Sequence, residues 1–522
     1  MSGATAVVGQ AVRRKDAFRK VAGAARYTVD LALQGMAYGK LLRSPYAHAR
    51  IRRIETGEAL AMPGVLAVVT GHTFPTGLWG THVVDEPVFP IDRVRFRGEP
   101  VAGVVALSEE LAEEALSRIE VDYEPLPAAV DILAAIAPDA PLVHPELGRY
   151  ERNSAVCRPV SGTNIVNRTV IRRGELDAGF AAADAVVEAT YTTQAQEHVP
   201  LEPAAAVADW QRDGRVTIWT STQCPFTVRE QVARAIRVGV GQVRVVVPDV
   251  GGGFGAKGNM RLEAYAALLS RAAGRPVKLV HTRYEEFIGS SIGHAARITL
   301  RAGVRRDGRI TAWHTQAWFD TGAYGESGEM VSWQAALGGV GPYRVENFLI
   351  ESHCVYTNKV PAGPFRGMGW PQILWAVESH IDRLASAIGM DPLQLRLANA
   401  VREGDLSVTG EVLESVALEE CLTEAAKAIG WDKPQAPGEG RGIACVMKSS
   451  VQNSTASAVA QLNEDGTLRL VISAAETGAG APSAMAQIAA EALGTSYERV
   501  LVTAPDTDYT PFDRGAISDR TT

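Results

Sequence analysis

The sequence predicts a fold of the α+β class, and three observations lead to that prediction. Residues 101–123 show a strand, helix and strand pattern; three Asp-Gly turns lie further along the chain; and a strand, glycine loop and helix pattern occurs three times. Strand and helix periodicities therefore both occur along the chain. Its 522 residues are enough for about three domains.

The first pattern begins with the apolar run VAGVVAL at 101–107, which has the length of a buried strand. Residues 108–119 carry apolar side chains at helical spacing, and the segment through Tyr123 is predicted to be a second strand. We expect the three to form a compact βαβ element. The Pro- and Ala-rich stretch 124–146 follows and indicates a domain boundary.

The Asp-Gly turns lie at 213–214, 307–308 and 465–466, and residues of alternating character flank each of them. Asp-Gly suits a two-residue turn because Gly accepts the positive φ that such a turn requires. The sequence therefore predicts three β-hairpins.

The repeated pattern places glycine-rich loops at 251–255, 363–369 and 478–480, each after an apolar run and before an amphipathic helix. The first helix is predicted near 259–273, the second begins at Pro371, and the third ends at Gly494. A glycine loop at a helix N-terminus offers unpaired N–H groups to an anion, although a single such loop is more often just a tight connection. None of the three matches a standard nucleotide fingerprint, so the sequence predicts an unusual anionic ligand.

Several side chains beside these loops have two interpretations. Arg366 is either a cation facing an oxyanion or metal-oxo group, or a surface arginine. Gln223 either holds a cofactor oxygen with its amide or is a buried structural residue. The segment 196–198 (Gln-Glu-His) with Glu202 is a nonspecific metal-ligand pattern, and a structural network is favoured, so no protein metal ligand is assigned.

Composition excludes several classes of function. There are 59 acidic and 52 basic residues, a net charge of −7, and the basic residues are scattered, which argues against a nucleic-acid partner. The five cysteines lie far apart, so neither a zinc pair nor a disulfide framework is indicated, and a reducing compartment is expected. No complete export signal and no apolar run of membrane-span length is found, which predicts a soluble, cytoplasmic protein.

Taken together, the motifs resemble the molybdopterin-binding large subunit of the xanthine dehydrogenase and aldehyde oxidase family. The resemblance rests on TQ at 222–223, GGGFGAK at 251–257, FRGMGWPQ at 365–372, ETGAG at 476–480 and DTDYTPFDRGAISDRTT at 506–522. The stretch from VAGAARYTVD to LLRSPYAHARI resembles the family's hammerhead domain. The family organisation implies an α/β hammerhead domain over 1–130, a first molybdopterin-binding domain over 131–400 and the N-terminal part of a second over 401–522.

The resemblance implies that the chain binds a molybdenum cofactor, in bacteria usually as molybdopterin cytosine dinucleotide. Gln223 and Arg366 take the catalytic positions, Gln223 near the apical oxo ligand and Arg366 near the metal and substrate. The implied cofactor-binding residues are Gln223, Gly252, Gly253, Phe254, Gly255, Arg366, Gly478, Ala479, Gly480, Ser518, Asp519 and Thr521.

The reaction implied by the family is oxidation of an aldehyde or N-heteroaromatic compound, with water as the oxygen source. Electrons leave through 2Fe-2S clusters and FAD, which we expect on partner subunits because this chain has neither clustered cysteines nor an FAD motif. Two alternatives stay open: an aromatic acyl-CoA reductase of the same family, and a non-catalytic cofactor-binding scaffold.

Three positions depart from the purine-oxidising members. Gly258 stands in place of a Glu, Gln334 in place of an Arg and Met368 in place of a Phe. With Trp370, these residues make up the expected substrate pocket. Because the polar contacts to a purine are missing, we expect purines to be poor substrates.

The catalytic base is the largest departure. Longer family members supply an invariant Glu beyond the segment that matches 506–522, and no residue of 1–522 takes that role by motif. We therefore expect the Glu on a complementary C-terminal molybdopterin-binding polypeptide that associates with this chain. Ala479 also replaces the Gln of the family's MGQG motif, which lends weight to the scaffold alternative.

Overall fold

The computed structural model describes residues 7–448, 455–518 and 521, and both strands and helices occur throughout these ranges. The strands are β1 Ala37–Arg43, β2 Ala49–Glu55, β3 Val65–Thr70, β4 Arg93–Val94, β5 Pro100–Ala106, β6 Glu120–Pro125, β7 Ile165–Arg173, β8 Ala185–Thr193, β9 Ala205–Trp210, β10 Val216–Thr220, β11 Val243–Val246, β12 Val277–Val280, β13 Ala295–Val304, β14 Ile310–Gly322, β15 Phe348–Tyr356, β16 Val459–Leu462, β17 Leu468–Val471 and β18 Val500–Val502. The α-helices are α1 Ala17–Val21, α2 Gly57–Leu60, α3 Glu109–Leu116, α4 Ile132–Ala135, α5 Leu176–Ala181, α6 Pro225–Ala235, α7 Glu263–Ala273, α8 Arg283–Gly289, α9 Gly328–Leu337, α10 Trp370–Ile388, α11 Pro392–Asn399, α12 Leu418–Ile429 and α13 Ala481–Leu493. The predicted α+β class is confirmed.

A seven-stranded sheet has the order β11-β10-β9-β12-β1-β5-β3. Strand β1 pairs in parallel with β12, and Ala37 lies opposite Val277. The sheet thus joins strands from both sides of the boundary predicted at residue 130. Its core is rich in Val, Ala and Leu because the central strands are covered on both faces.

A five-stranded sheet, β7-β15-β14-β13-β8, forms the second layer, and helix α10 packs across β8 and β13. The apolar stripe of α10 faces the sheet, and Ile373, Val377, Ile381 and Leu384 are fully buried there. The helix begins directly after the second glycine loop, so packing of its stripe fixes where that loop lies.

All three predicted hairpins form. Strands β9 and β10, β13 and β14, and β16 and β17 pair antiparallel around the Asp-Gly turns. In each turn the Gly adopts positive φ, at +86° for Gly214, +88° for Gly308 and +78° for Gly466. A local requirement for positive φ can be predicted from the residue type alone.

The predicted βαβ element is wrong in its pairing. Strand β5, helix α3 and strand β6 all form, but β5 belongs to the seven-stranded sheet whereas β6 pairs antiparallel with β2 in a separate three-stranded sheet. The physical reason is burial: every residue of β5 is buried, whereas β6 is partly exposed along its length. The two strands therefore lie in different environments.

The three strand, glycine loop and helix elements are present with one correction. The helices after the second and third loops begin at Trp370 and Ala481, whereas the helix after the first begins at Glu263 rather than near 259. A second three-stranded sheet, β16-β17-β18, packs against α13. Within the described ranges, no helix combines the length and the apolar character that a bilayer span requires.

Candidate functional site

The first glycine loop leaves a row of backbone donors unpaired. Its backbone takes left-handed conformations at Gly252 (φ +92°), Phe254 (φ +54°) and Gly255 (φ +111°). Within the part of the chain that the structure describes, the N–H groups of Gly252, Gly253 and Phe254 have no acceptor. Successive free N–H groups in such a loop make a concave site for an anion. The positive φ of Phe254, which is not a glycine, is the kind of strain found at functional sites.

Gln223 packs directly against this loop. Its Oε1 accepts a hydrogen bond from the N–H of Gly255 at 3.0 Å, and its Nε2 donates to the carbonyl of Ala516 at 2.9 Å. A Cβ at Gly253 would lie 2.5 Å from Gln223 Oε1, so that position is restricted to glycine by close approach. Both ends of the amide are bound within the chain, which places Gln223 at the junction of two distant segments.

The second glycine loop, 363–369, contains Arg366 and is called the arginine loop below. It completes the junction. The N–H of Arg366 donates to the carbonyl of Phe254 at 2.9 Å. A Cβ at Gly255 would lie 2.2 Å from the carbonyl oxygen of Pro364, so the two loops pack backbone against backbone. The exposed guanidinium of Arg366 makes no hydrogen bond or ion pair with any described residue and lines a cavity of about 390 Å³ that His294 also lines.

The segment that offered a metal-ligand pattern instead supports the arginine loop. His198 Nε2 donates to the carbonyl of Pro364 at 2.8 Å, and its ring stacks on Phe365 with centroids 4.2 Å apart. Burial lowers the pKa of His198 to about 4, so the imidazole is neutral at pH 7 and acts as a neutral donor. Among the described residues, no group of three or more His, Cys, Asp or Glu side chains is arranged to hold a metal ion.

A buried ion pair holds the other side of the first loop. Lys257 Nζ lies 3.0 Å from Glu202 Oε2, and the same oxygen accepts from the N–H of Gly251 at 2.8 Å. Burial lowers the pKa of Lys257, and the Glu202 carboxylate opposes that shift. Sequence analysis did not assign Lys257 a role, although its place at the end of the GGGFGAK motif was a signal.

The third glycine loop is organised by its own carboxylate. Glu476 Oε1 accepts hydrogen bonds from the N–H groups of Gly478 at 2.6 Å and Gly480 at 3.2 Å. The N–H of Ala479 has no acceptor among the described residues. An anion at this loop thus meets fewer free donors than the sequence suggested, because two N–H groups are already satisfied. No hydrogen bond joins this loop to the first two within the described ranges.

The remaining residues of the predicted cofactor set lie near the end of the chain. Ser518 takes a left-handed conformation with φ +48°, and Thr521 is also described. Asp519 lies outside the described residues. The neighbouring Ala516 N–H donates to the carbonyl of Gln223 at 3.0 Å, so this segment reaches the junction of the first two loops.

Of the four predicted substrate-pocket residues, Trp370 lines a cavity separate from the one beside Arg366. Trp370 donates its indole N–H to Gln334 Oε1 at 2.9 Å, and Trp370 lines a cavity of about 910 Å³. Met368 packs against the core of the five-stranded sheet, and Gly258 donates its N–H to the carbonyl of Gly255 at 3.2 Å. Neither this cavity nor the one beside Arg366 is lined by Gly258, Gln334 or Met368.

Comparison with known families matches three models to this chain. Residues 22–127 match the aldehyde oxidase and xanthine dehydrogenase a/b hammerhead domain. Residues 159–400 and 413–522 match two molybdopterin cofactor-binding domains. The three matches follow one another along the chain in that order.

Curated relatives and solved structures extend the match. The putative xanthine dehydrogenase molybdenum-binding subunit of Escherichia coli is 35% identical over 535 residues, covering 97% of this chain and 69% of that protein. The nicotinate dehydrogenase large molybdopterin subunit of Eubacterium barkeri is 34% identical, covering 82% of this chain and 98% of that protein. The crystal structure of quinoline 2-oxidoreductase from Pseudomonas putida 86 superposes with a TM-score of 0.89 at 30% identity, over 99% of this chain and 68% of that one.

Proposed function

The chain belongs to the xanthine dehydrogenase and aldehyde oxidase family as a molybdopterin-binding large subunit, and we propose that it serves a hydroxylase that oxidises an aldehyde or an N-heteroaromatic compound with water as the oxygen source.

One observation carries the proposal. The loops around Gln223, Gly253–Gly255 and Pro364–Arg366, which lie far apart in sequence, meet through hydrogen bonds of 3.0 and 2.9 Å. At that junction three backbone N–H groups and one guanidinium stand without partners among the described residues. A protein that leaves several donors unpaired at one place is arranged to receive an anionic group.

The residues present fit the molybdenum cofactor by this test. Free N–H groups at Gly252, Gly253 and Phe254 suit the oxygens of the bound group, and the glycines allow close approach of the backbone. We assign its phosphate-bearing part to the segment 478–480 together with Ser518 and Thr521, in the cytosine dinucleotide form. When bound, this cofactor supplies the two-electron oxidation of the substrate carbon.

The protein's own residues hold the loops in position and stabilise charge on the substrate. The Arg366 guanidinium stabilises negative charge that develops on a substrate oxygen. Gln223 holds the first loop against the segment that contains Ala516 and so sets the shape of the junction. Neutral His198 holds the arginine loop by its hydrogen bond to the Pro364 carbonyl and adds no second positive charge beside Arg366.

We assign the general base to a Glu outside residues 1–522. The carboxylates that support the loops are already engaged: Glu202 is paired with Lys257, and Glu326 forms an ion pair with Arg261 and accepts from Asn259. Within the described ranges, no carboxylate contacts the Arg366 guanidinium or the Gln223 amide. Electron transfer is assigned to partner subunits that carry 2Fe-2S clusters and FAD.

The proposal is tested by metal and pterin analysis followed by a substrate panel. The chain is co-produced with its genomic neighbours in a host that makes the cofactor, and molybdenum and released cytidine nucleotide are measured per polypeptide. Aldehydes, N-heteroaromatics and an aromatic acyl-CoA are then assayed with an artificial electron acceptor and ¹⁸O-labelled water. Stoichiometric molybdenum with ¹⁸O in the product supports the proposal, whereas a molybdenum-free chain shows a scaffold and turnover of the acyl-CoA alone shows the reductase.

A further inference from the structure

A strap at the start of the chain, residues 7–27, is fastened to the helix that follows the third glycine loop. The backbone N–H of Lys15 donates to Ser483 Oγ at 2.9 Å, and Lys15 Nζ donates to the carbonyl of Tyr497 at 2.6 Å. The Tyr497 hydroxyl in turn donates to the carbonyl of Arg13 at 2.9 Å. These contacts join the first residues of the chain to residues nearly five hundred positions away.

Arg14 of the strap reaches the third glycine loop itself. One guanidinium nitrogen donates to the carbonyl of Gly478 at 3.1 Å, and another donates to Glu476 Oε1 at 3.2 Å. Glu476 Oε1 is the atom that also accepts the N–H groups of Gly478 and Gly480. Asp16 holds the same guanidinium through two hydrogen bonds of 3.0 and 2.9 Å, so its orientation is fixed. Arg14 therefore contacts both the backbone of the loop and the carboxylate that shapes it.

Arg19 of the strap reaches the first glycine loop. Its guanidinium donates to both carboxylate oxygens of Asp249, each at 2.6 Å. Asp249 is buried and precedes Gly251 by two residues. The strap binds Asp249 a second time, because the N–H of Arg26 donates to its Oδ2 at 3.1 Å and its own N–H donates to the Arg26 carbonyl at 3.0 Å.

The two arginines are five positions apart, with helix α1 beginning between them at Ala17. Even a fully extended chain would separate their Cα atoms by less than about 18 Å, and one helical turn shortens that distance. Arg19 binds directly before the first glycine loop and Arg14 binds at the start of the third. The strap therefore limits how far these two loops can move apart. Direct hydrogen bonds between these loops are not found within the described ranges.

We propose that Arg14 and Arg19 are positioning residues that hold the first and third glycine loops at the separation needed to bind a single molybdenum cofactor; this rests on the proposed function. These contacts order the two loops rather than stabilise the whole fold. Both guanidinium groups are about half exposed, and exposed ion pairs add little to overall stability. The segments before the first and after the third glycine loop are also joined elsewhere, where Arg244 binds Asp506 and the N–H of Val247 donates to the carbonyl of Pro505 at 3.0 Å.

The test separates local loop order from global stability. Arg14→Gln and Arg19→Gln are compared with Arg244→Gln as a matched control. Arg244→Gln also removes a bidentate Arg–Asp pair, that with Asp506, but this pair lies outside the glycine loops. Hydrogen exchange is measured on the cofactor-free chain over 476–482 and 249–257. We expect about tenfold faster exchange at 476–482 in Arg14→Gln and at 249–257 in Arg19→Gln, and neither change in Arg244→Gln.

Molybdenum per polypeptide is then measured after production in a cofactor-making host. We expect a several-fold loss in each Gln variant, partial recovery in Arg14→Lys and Arg19→Lys, and unfolding midpoints within about 2 °C of the parent. Unchanged exchange at both loops, or equal molybdenum loss in Arg244→Gln, would overturn the positioning role. A parent protein that takes up no molybdenum would overturn the proposed function instead, and the exchange data on the cofactor-free chain would still decide whether the strap orders the loops.

Discussion

Gln223 Oε1 accepts a hydrogen bond from the backbone N–H of Gly255 at 3.0 Å, across 32 positions of sequence. The same amide donates to Ala516, 293 positions away. One side chain thus joins the strand end at Thr220, the first glycine loop and the segment near Ser518. Replacing Gln223 should for this reason affect cofactor binding as well as folding.

Gln223→Leu removes both hydrogen bonds and leaves the partly buried N–H of Gly255 and carbonyl of Ala516 without these partners. We expect a loss of about 1–3 kcal/mol in the free energy of unfolding together with loss of molybdenum. Gln242→Leu is the matched control, because Gln242 also joins a backbone N–H, that of Gly239, to a backbone carbonyl, that of Gly214. Urea unfolding and metal analysis of both variants check the prediction. Molybdenum retained in Gln223→Leu would show that this residue has only a structural role.

Gly255→Val should abolish cofactor retention. The new Cβ would lie 2.2 Å from the Pro364 carbonyl oxygen, and φ at this residue is +111°, which a β-branched side chain strongly disfavours. Gly410→Val controls for backbone strain, since φ there is +90° but a Cβ meets no atom within 4 Å. We expect the control to keep its molybdenum. A Gly255→Val protein with full metal content would contradict the assignment of this loop.

Xanthine and hypoxanthine should be poor substrates. Gly258 and Gln334 lack the carboxylate and the guanidinium that the purine-oxidising members carry at these positions, and Gln334 Oε1 already accepts a hydrogen bond from the indole N–H of Trp370. Unpaired polar groups of a buried ring cost orders of magnitude in rate, so we expect kcat/KM at least about 100-fold below that of the best aldehyde or N-heteroaromatic. The substrate panel measures this ratio. Efficient xanthine turnover would refute the prediction.

A complex of residues 1–522 with only the proposed iron–sulfur and flavin subunits should be nearly inactive. General-base catalysis contributes about 10²–10⁴-fold, and we place the base outside residues 1–522. Adding a polypeptide that carries the proposed Glu should restore turnover, whereas the same polypeptide with that Glu replaced by Gln should not. Steady-state assays of the three mixtures decide the question. Full activity without that polypeptide would mean that the base lies among residues 1–522.

Glu197 should make stability depend on pH. Burial, reinforced by the nearby Glu286 charge, raises the pKa of the Glu197 carboxyl to about 7. The folded chain then keeps a proton that the unfolded chain releases above its ordinary pKa of about 4.5, so the free energy of unfolding falls as pH rises through that window, by up to about 3 kcal/mol.

Glu197→Gln removes this titration, so the stability of the variant relative to the parent should increase between about pH 5 and pH 8. Glu113→Gln, at an exposed glutamate on helix α3, is the matched control. Denaturant unfolding at several pH values measures both. Parallel profiles for the parent and Glu197→Gln would show that Glu197 is ionised throughout.

Features governed by neighbours in sequence were predictable. The three Asp-Gly hairpins form because positive φ at Gly214, Gly308 and Gly466 is a local requirement. The helix after the second glycine loop begins within a residue of the predicted Pro371, and the helix after the third ends directly before the predicted Gly494, since Pro and Gly mark helix ends by local geometry. The family was likewise readable, because its motifs are short and contiguous.

Only the tertiary structure decided which of these local pieces meet. Strands β5 and β6 look like one βαβ unit in sequence, yet they enter different sheets because β5 pairs with β1 and β3 whereas β6 pairs with β2. The hydrogen bond from Arg19 to Asp249 joins residues 230 positions apart, and no local pattern in the strap predicts it. The positions of the glycine loops and the anionic class of ligand that suits them follow from local sequence alone. Their common junction and the strap that spans two of them depend on long-range packing, whose partners are chosen by burial and shape across the whole chain rather than by spacing within any segment.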